Sequence, residues 1–150
     1  MAQVPALTQI PNSKTNEEAV TGLLQLAHDC HAAYGQAAEK ASDAALKQAM
    51  QKFASQADSH INQWRGLLNP PPDKETTIST SINSGKVKLA NLGGDKGIVA
   101  AIFNNANDSA TAYEAISKRS EFPKQTTSLA AKLLPEAQEQ RAFLEKFAKQ

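Results

Sequence analysis

Residues 15–67 decide the fold, and they read TNEEAVTGLLQLAHDCHAAYGQAAEKASDAALKQAMQKFASQADSHINQWRGL. Thr15 and Glu18 fit a capping box, in which the threonine oxygen accepts a backbone N–H and the glutamate reaches back. Apolar residues then recur at alternating spacings of three and four, which is the pattern of one apolar stripe on a long helix. This stripe consists of Val20, Leu23, Ala27, Cys30, Tyr34, Ala37 and Ala41. We therefore predict a first helix from Thr15 to about Ala41.

A second long helix follows almost at once. Ser42 and Asp43 supply its N-cap, and the run Asn69-Pro70-Pro71-Pro72 stops it. Its stripe consists of Leu46, Met50, Phe53, Ala57, His60, Trp64 and Leu67. Two long helices joined by so short a turn must form an antiparallel hairpin.

The second half of the chain repeats this arrangement after a long polar, proline-rich connection over residues 70–77. The spacing of Ile78, Ile82, Leu89 and Leu92 predicts a short helix within this crossover, ending at Gly93-Gly94. Asp95 is predicted to cap a third long helix that ends near Ser120, and Pro123 to open a fourth. The third stripe is Val99, Ile102, Ala106, Ser109, Tyr113 and Ile116, and the fourth is Ala130, Leu133, Ala137, Gln140, Leu144 and Phe147.

These patterns predict an all-α four-helix bundle made of two antiparallel helical hairpins, with a short extra helix in the long crossover between helices two and three. One form of such a bundle is the ferritin-like arrangement. Pro135 interrupts the fourth stripe, so it either kinks that helix, which we prefer, or the helix begins near Leu134. We predict one domain over residues 15–150, preceded over residues 1–14 by an extended N-terminal arm that is disordered or lies against the bundle.

The composition excludes several classes of partner. Sixteen basic and fifteen acidic side chains leave a net charge of +1, so the chain lacks the field of a nucleic-acid or polybasic membrane binder. No apolar run approaches the roughly 20 residues that span a bilayer, and the start of the chain has no secretory leader pattern. The single cysteine cannot form an intrachain disulfide. We expect a cytoplasmic protein that binds neither nucleic acid nor membranes.

A set of residues distributed over the chain carries a family resemblance. They are Asp29, Tyr34, Ala37-Ala38-Glu39, Asp43, Leu46-Lys47, Phe53, Gly85, Leu89, Gly93-Gly94-Asp95, Ala110 and Tyr113. With them the chain resembles, from about Glu17 to its C-terminus, a bacterial ferritin-like four-helix-bundle family of unknown function. This resemblance implies a fold related to ferritins and rubrerythrins and raises the question of a di-metal centre. It implies no particular substrate.

The sequence lacks the ligands of a usual di-iron centre. Such a bundle needs a glutamate from each of two helices and Glu-x-x-His from each of the other two. The residues three positions before the three histidines are Gln25, His28 and Ala57, so no Glu-x-x-His occurs. The remaining candidate glutamates, Glu114, Glu136 and Glu139, lie off the predicted stripes. We expect no catalytic residues of the ferroxidase kind and no cofactor.

The histidines offer one alternative, a transition-metal site. His28 and His31 are one helical turn apart, with Asp29 and Cys30 beside them. Cys30 and His31 should flank the apolar stripe on opposite sides while His28 and Asp29 face solvent, so one ion cannot gather all four. A site would therefore combine His31 with His60 from the second helix, and His28 is the weaker candidate. This arrangement would make the protein an atypical metal-binding protein or a metal-dependent oxidase.

Polar side chains on the stripes indicate a second kind of site. Tyr34 and Tyr113 are central on their stripes, so their hydroxyl groups need partners such as Gln140, Ser109 and His60. We predict a core polar layer that consists of Cys30, Tyr34, His60, Ser109, Tyr113 and Gln140. Such a layer either specifies the register of the helices or lines a small-molecule pocket.

The leading functional prediction is a non-catalytic interaction or scaffold module. Such a module would bind an unidentified protein partner or a second copy of itself. Helical faces rich in small residues pack closely, which suits self-association. In a dimer we expect Trp64 and the alanine-rich helix faces to form the contact surface.

Overall fold

The computed structural model describes residues 7–68 and 94–149 of the 150-residue chain, with side chains from Ile10 onward. All regular elements in these ranges are helical, as predicted. A short 3₁₀ helix, Leu7–Asn12, precedes four long helices: α1 (Asn16–Lys40), α2 (Ala44–Arg65), α3 (Gly94–Ser117) and α4 (Lys124–Ala148). The predicted crossover helix over residues 78–92 lies outside the described residues. None of the described helices has the length and apolar character needed to cross a membrane.

Local capping explains where the first hairpin begins and turns. The backbone N–H of Glu18 donates to Oγ1 of Thr15 at 3.1 Å, and the Glu18 carboxylate accepts from the backbone N–H of Lys14 at 3.4 Å. The carboxylate of Asp43 accepts from the backbone N–H of Leu46 at 2.8 Å. The predicted N-caps of the first two helices, Thr15 and Asp43, are therefore confirmed, while Glu18 reaches back to the N–H of Lys14 and not to that of Thr15 as in a regular capping box.

Asp95 does not cap its own helix, so this prediction is wrong. α3 begins one residue earlier at Gly94, whose φ of 73° glycine adopts without steric cost. The two carboxylate oxygens of Asp95 instead accept from the backbone N–H groups of Ser42 and Asp43, each at 2.8 Å. These N–H groups precede α2, where unpaired donors and the helix dipole favour a carboxylate. Asp95 therefore ties the start of α3 to the turn between α1 and α2.

This contact fixes the directions of the helices. α3 starts at the end of the bundle where α2 starts, so α2 and α3 run parallel, and α2 ends about 33 Å away. At that far end, Oγ1 of Thr126 donates to Oδ1 of Asn16 at 2.6 Å and joins the start of α4 to the start of α1. α1 packs against α2 and α3, and α3 packs against α4. The result is a four-helix bundle whose two hairpins, α1–α2 and α3–α4, lie side by side.

Residues 7–12 of the predicted arm lie against the bundle, and they are helical rather than extended. They form a 3₁₀ helix that packs against α1 and α3, and the side chain of Ile10 is fully buried. The guanidinium of Arg119 donates to the carbonyl oxygens of Pro11 and Ser13, each at 2.7 Å. This anchoring offsets the entropy cost of ordering a terminal segment.

The four predicted stripes face the core. All of their members are buried except Leu67 and Phe147, which are half-buried. α4 follows Pro123 and continues without a break from Lys124 to Ala148, with Pro135 on its exposed side. The alternative in which the last helix begins near Leu134 is therefore wrong. The third helix ends at Ser117, three residues before its predicted end.

Candidate functional site

The six residues of the predicted polar layer are all buried, and hydrogen bonds join them in three pairs. Each pair connects two different helices, so the layer holds the bundle together at three points. The pairs are Cys30 with Ser109 between α1 and α3, Tyr34 with Gln140 between α1 and α4, and His60 with Tyr113 between α2 and α3.

His60 connects the layer to the protein surface. Its Nδ1 atom lies 3.1 Å from the hydroxyl oxygen of Tyr113, and its Nε2 atom lies 2.7 Å from Oε1 of Glu136 on α4. The side chain of His60 is 5% exposed and that of Glu136 is 43% exposed. Tyr113, His60 and Glu136 thus form a hydrogen-bonded row that leads from the core to solvent.

The donor and acceptor capacity of each group decides the direction of each hydrogen bond in this row. A carboxylate only accepts, so the hydrogen between His60 and Glu136 belongs to Nε2 of His60. The neutral imidazole then has an unprotonated Nδ1, which accepts from the hydroxyl group of Tyr113. The indole N–H of Trp64 donates to the same tyrosine oxygen at 3.4 Å. Tyr113 is therefore both a donor and an acceptor.

Burial dominates the acid–base properties of this row. Burial lowers the pKa of His60 from its usual value of 6.5, although Glu136 partly opposes this effect through its hydrogen bond and its charge. Burial also raises the pKa of Tyr113 well above its usual range. At neutral pH the imidazole is therefore neutral and the phenol keeps its proton, which agrees with the assigned bond directions.

Tyr34 makes a different kind of hydrogen bond. Its hydroxyl donates to Oε1 of Gln140 at 3.0 Å, and Nε2 of Gln140 donates to Oε1 of Gln56 at 2.9 Å. The ring packs edge-on against Phe53, whose ring packs edge-on against Phe143 of α4. Burial raises the pKa of Tyr34 as well. The hydroxyl group of Tyr34 therefore donates to an amide oxygen and not to a basic nitrogen.

Cys30 is a packed thiol and not a reactive one. Its Sγ lies 3.1 Å from Oγ of Ser109 and donates to the backbone oxygen of Asn105 at 3.6 Å. Burial raises the pKa of the thiol to about 12. Since the thiolate is the nucleophile, Cys30 has no appreciable nucleophilic form at neutral pH.

The structure does not bring the predicted metal ligands together. His31 is exposed on α1, His28 is half-buried, and His60 is buried with both ring nitrogens already hydrogen-bonded. His31 therefore does not flank the stripe, and the predicted exposure of Asp29 is also wrong, because Asp29 is buried and accepts from Nε2 of Gln25 at 3.0 Å. Among residues 10–68 and 94–149, no three His, Cys, Asp or Glu side chains form a group that could hold a metal ion.

Three partners of the polar layer were missed by the sequence analysis. They are Gln56, Trp64 as a donor to Tyr113, and Glu136, which was placed off the stripes. Gln56 lies four residues before His60, and Glu136 lies four residues before Gln140, so each is one turn from a polar stripe residue. Polar residues in that position were a usable signal for partners of a buried polar group.

Burial limits which molecules can reach the reactive groups of the polar layer. Tyr113 and Cys30 are almost completely buried, so neither hydroxyl nor thiol can contact a substrate. The hydrogen-bonded row connects the buried Tyr113 through His60 to the half-exposed Glu136. No protein-family model, no curated protein and no solved structure matches the chain.

Proposed function

We propose that this chain is a non-catalytic bundle of the ferritin-like type that acts as a protein-interaction module. The directions of the helices support the fold assignment, since parallel α2 and α3 need one end-to-end connection, as in ferritin-like bundles with a single crossover. The polar layer supports the absence of catalysis. Within the described part of the chain, its members are hydrogen-bonded to one another and to neighbouring protein groups, and the Glu136 carboxylate accepts from His60.

The proposal rests on one observation, an aromatic pair that packs against the core and is only partly covered by it. The rings of Phe143 and Phe147 on α4 are stacked with centroids 6.4 Å apart, and both side chains are half-buried. Aromatic residues are enriched in protein interfaces, where a rigid ring buries a large apolar area. Trp64, the predicted dimer contact, is fully buried and is unsuited to this role.

We propose a second copy of the chain as the partner. The aromatic pair would then meet its symmetry mate at a twofold axis, as in most soluble dimers. Light scattering after size-exclusion chromatography should give about twice the 16.0 kDa chain mass for the wild type. The Phe147→Ser variant should elute as a monomer with unchanged helix content, because Phe147 lies near the end of α4 and is not part of the polar layer.

Phe103 provides the matched control. It is also a half-buried phenylalanine, but it lies on α3. The Phe103→Ser variant should remain a dimer. A strict monomer for the wild type over a wide concentration range, or equal dissociation of both variants, would contradict the proposed self-association.

The alternative function, metal binding or a metal-dependent oxidase at His60, requires the histidine to give up an existing hydrogen bond. A metal ion binds an imidazole nitrogen that carries no proton. Nδ1 accepts from Tyr113 and Nε2 donates to Glu136, so either nitrogen must first lose its partner. The non-catalytic proposal is therefore preferred, and the metal content of the purified protein after metal loading separates the two.

A further inference from the structure

The two tyrosines of the chain form a natural comparison. Both are almost fully buried, and both donate a hydrogen bond across the bundle, but their acceptors differ. Tyr34 donates to the amide oxygen of Gln140, which does not take up a proton at neutral pH. Tyr113 donates to Nδ1 of His60, which is a base.

We propose that Tyr113 is a reversible one-electron redox site whose phenol proton moves to His60 when the electron leaves. A buried phenol that loses an electron becomes strongly acidic, so the proton needs an acceptor within hydrogen-bond distance. Nδ1 of His60 lies 3.1 Å from the hydroxyl oxygen and is correctly placed. The proposal goes beyond the interaction function and does not depend on it.

The electron and the proton of this step are accounted for by the protein and one external oxidant. Tyr113–OH gives one electron to a high-potential, outer-sphere one-electron oxidant, and the O–H proton passes to Nδ1 of His60. The products are a neutral Tyr113 phenoxyl radical, a His60 imidazolium and the reduced oxidant. Return of one electron sends the proton back from Nδ1 to the phenoxyl oxygen. No bond to carbon forms or breaks.

The groups around Tyr113 and His60 stabilise the oxidised state and protect the radical from irreversible decay. Glu136 accepts a hydrogen bond from Nε2 of His60 at 2.7 Å, so its carboxylate stabilises the imidazolium that forms. The indole N–H of Trp64 continues to donate to the tyrosine oxygen. The side chain of Tyr113 is about 1% exposed, which keeps other phenoxyl radicals and dissolved reductants away from the ring.

The test uses variants that each leave a single tyrosine. Tyr34→Phe retains Tyr113, and Tyr113→Phe retains Tyr34, so both variants lose one buried hydroxyl. Photogenerated ruthenium(III) tris(bipyridine) oxidises each protein, and electron paramagnetic resonance follows the tyrosyl radical. In the Tyr34→Phe protein we expect a radical that persists at least about tenfold longer than in the Tyr113→Phe protein, given the size of hydrogen bonds to charged groups.

A second readout reports where the proton goes. If the proton passes to His60, the midpoint potential of Tyr113 does not change with pH in the interval between the His60 pKa of the reduced protein and that of the oxidised protein, in which the imidazolium donates to the phenoxyl oxygen. A tyrosine that loses its proton to solvent instead shifts by about 59 mV per pH unit throughout, the value for a tenfold change in proton activity. We expect a pH-independent interval in Tyr34→Phe and none in Tyr113→Phe.

A substitution at Glu136 tests the role of the hydrogen-bonded row without disturbing the core, because the Glu136 side chain is half-exposed. Adding Glu136→Gln to Tyr34→Phe should shorten the radical lifetime about tenfold, since an amide stabilises an imidazolium less than a carboxylate does. Adding Glu139→Gln, on the same helix but paired with Lys52, should leave the lifetime unchanged. Equal radical lifetimes for the two tyrosines, a potential of Tyr113 that shifts with pH over the whole range, or no effect of Glu136→Gln would each overturn the proposal.

Discussion

Nε2 of His60 lies 2.7 Å from Oε1 of Glu136, so a buried imidazole on α2 is paired with a half-exposed carboxylate on α4. The backbones of these two helices approach each other at few places. Side-chain pairs therefore connect them, and among the described residues these also include Lys52 with Glu139, Gln56 with Gln140 and the rings of Phe53 and Phe143. The His60–Glu136 pair is the one that reaches the centre of the polar layer, and several properties of the protein should depend on it.

The stability of the protein should fall as the pH drops below 6.5, the usual pKa of histidine. Burial lowers the pKa of His60 in the folded state, so the unfolded chain binds this proton more readily. The contribution of His60 is complete above pH 6.5, decreases as the pH falls towards the folded-state pKa, and is constant below it. Urea unfolding of the wild type and of His60→Gln between about pH 5 and pH 8 measures the difference. Equal pH dependence in the two proteins would contradict this assignment.

Glu136→Gln should lower the pKa of His60 further. The carboxylate of Glu136 raises this pKa through its hydrogen bond and its charge, and the amide keeps an acceptor but no charge. Titration of the imidazole by nuclear magnetic resonance reports the change. Glu139→Gln is the control, because Glu139 pairs with Lys52 at an exposed position and should leave the His60 titration as it is. Identical titrations in the Glu136 variant and the wild type would show that the pair is not formed in solution.

Tyr34→Phe should destabilise the protein by about 1–2 kcal/mol, because it leaves the buried Oε1 of Gln140 without its donor. Replacing both partners removes the unpaired group. The double variant Tyr34→Phe, Gln140→Leu should therefore lose less than the sum of the two single variants in chemical denaturation. Additive losses would indicate that the two side chains are energetically independent.

Asp95→Ala should cost about 1–2 kcal/mol, since two backbone N–H groups before α2 lose their acceptor. Asp95→Asn keeps one acceptor oxygen, so its loss should be smaller. Hydrogen exchange of the Ser42 and Asp43 amides should become faster in the alanine variant. Unchanged exchange at these two amides would argue against the tie between α3 and the α1–α2 turn.

The sequence alone predicted the features that depend on helical periodicity and on local capping. Spacings of three and four place the same side chains inward whatever the neighbouring helix is, which explains why the stripe through Cys30 and Tyr34 was predicted correctly. The caps at Thr15 and Asp43 bond to backbone groups within three residues, so the information for them is local.

The features that were missed depend on which helices meet. Asp95 bonds to a turn more than fifty residues away in the chain. Helical spacing rules relate only residues within a few turns of each other, so they cannot predict this contact. Glu136 lies beside its stripe, and only the approach of α2 brings His60 to it. Asp29 was placed towards solvent from its position relative to the apolar stripe, yet it is buried and Gln25 donates to it within the same helix. Tertiary arrangement therefore decides the partners of the buried polar groups.

The central claim is that the polar layer is satisfied by the protein itself and leaves no ligand for a metal. Elemental analysis of purified wild-type protein and of His60→Gln, before and after aerobic loading with iron, zinc and copper, tests it directly. We expect no stoichiometric metal in either protein after removal of excess ions. A stoichiometric metal content in the wild type that is lost in His60→Gln would contradict the claim and place a metal site at the His60–Glu136 pair.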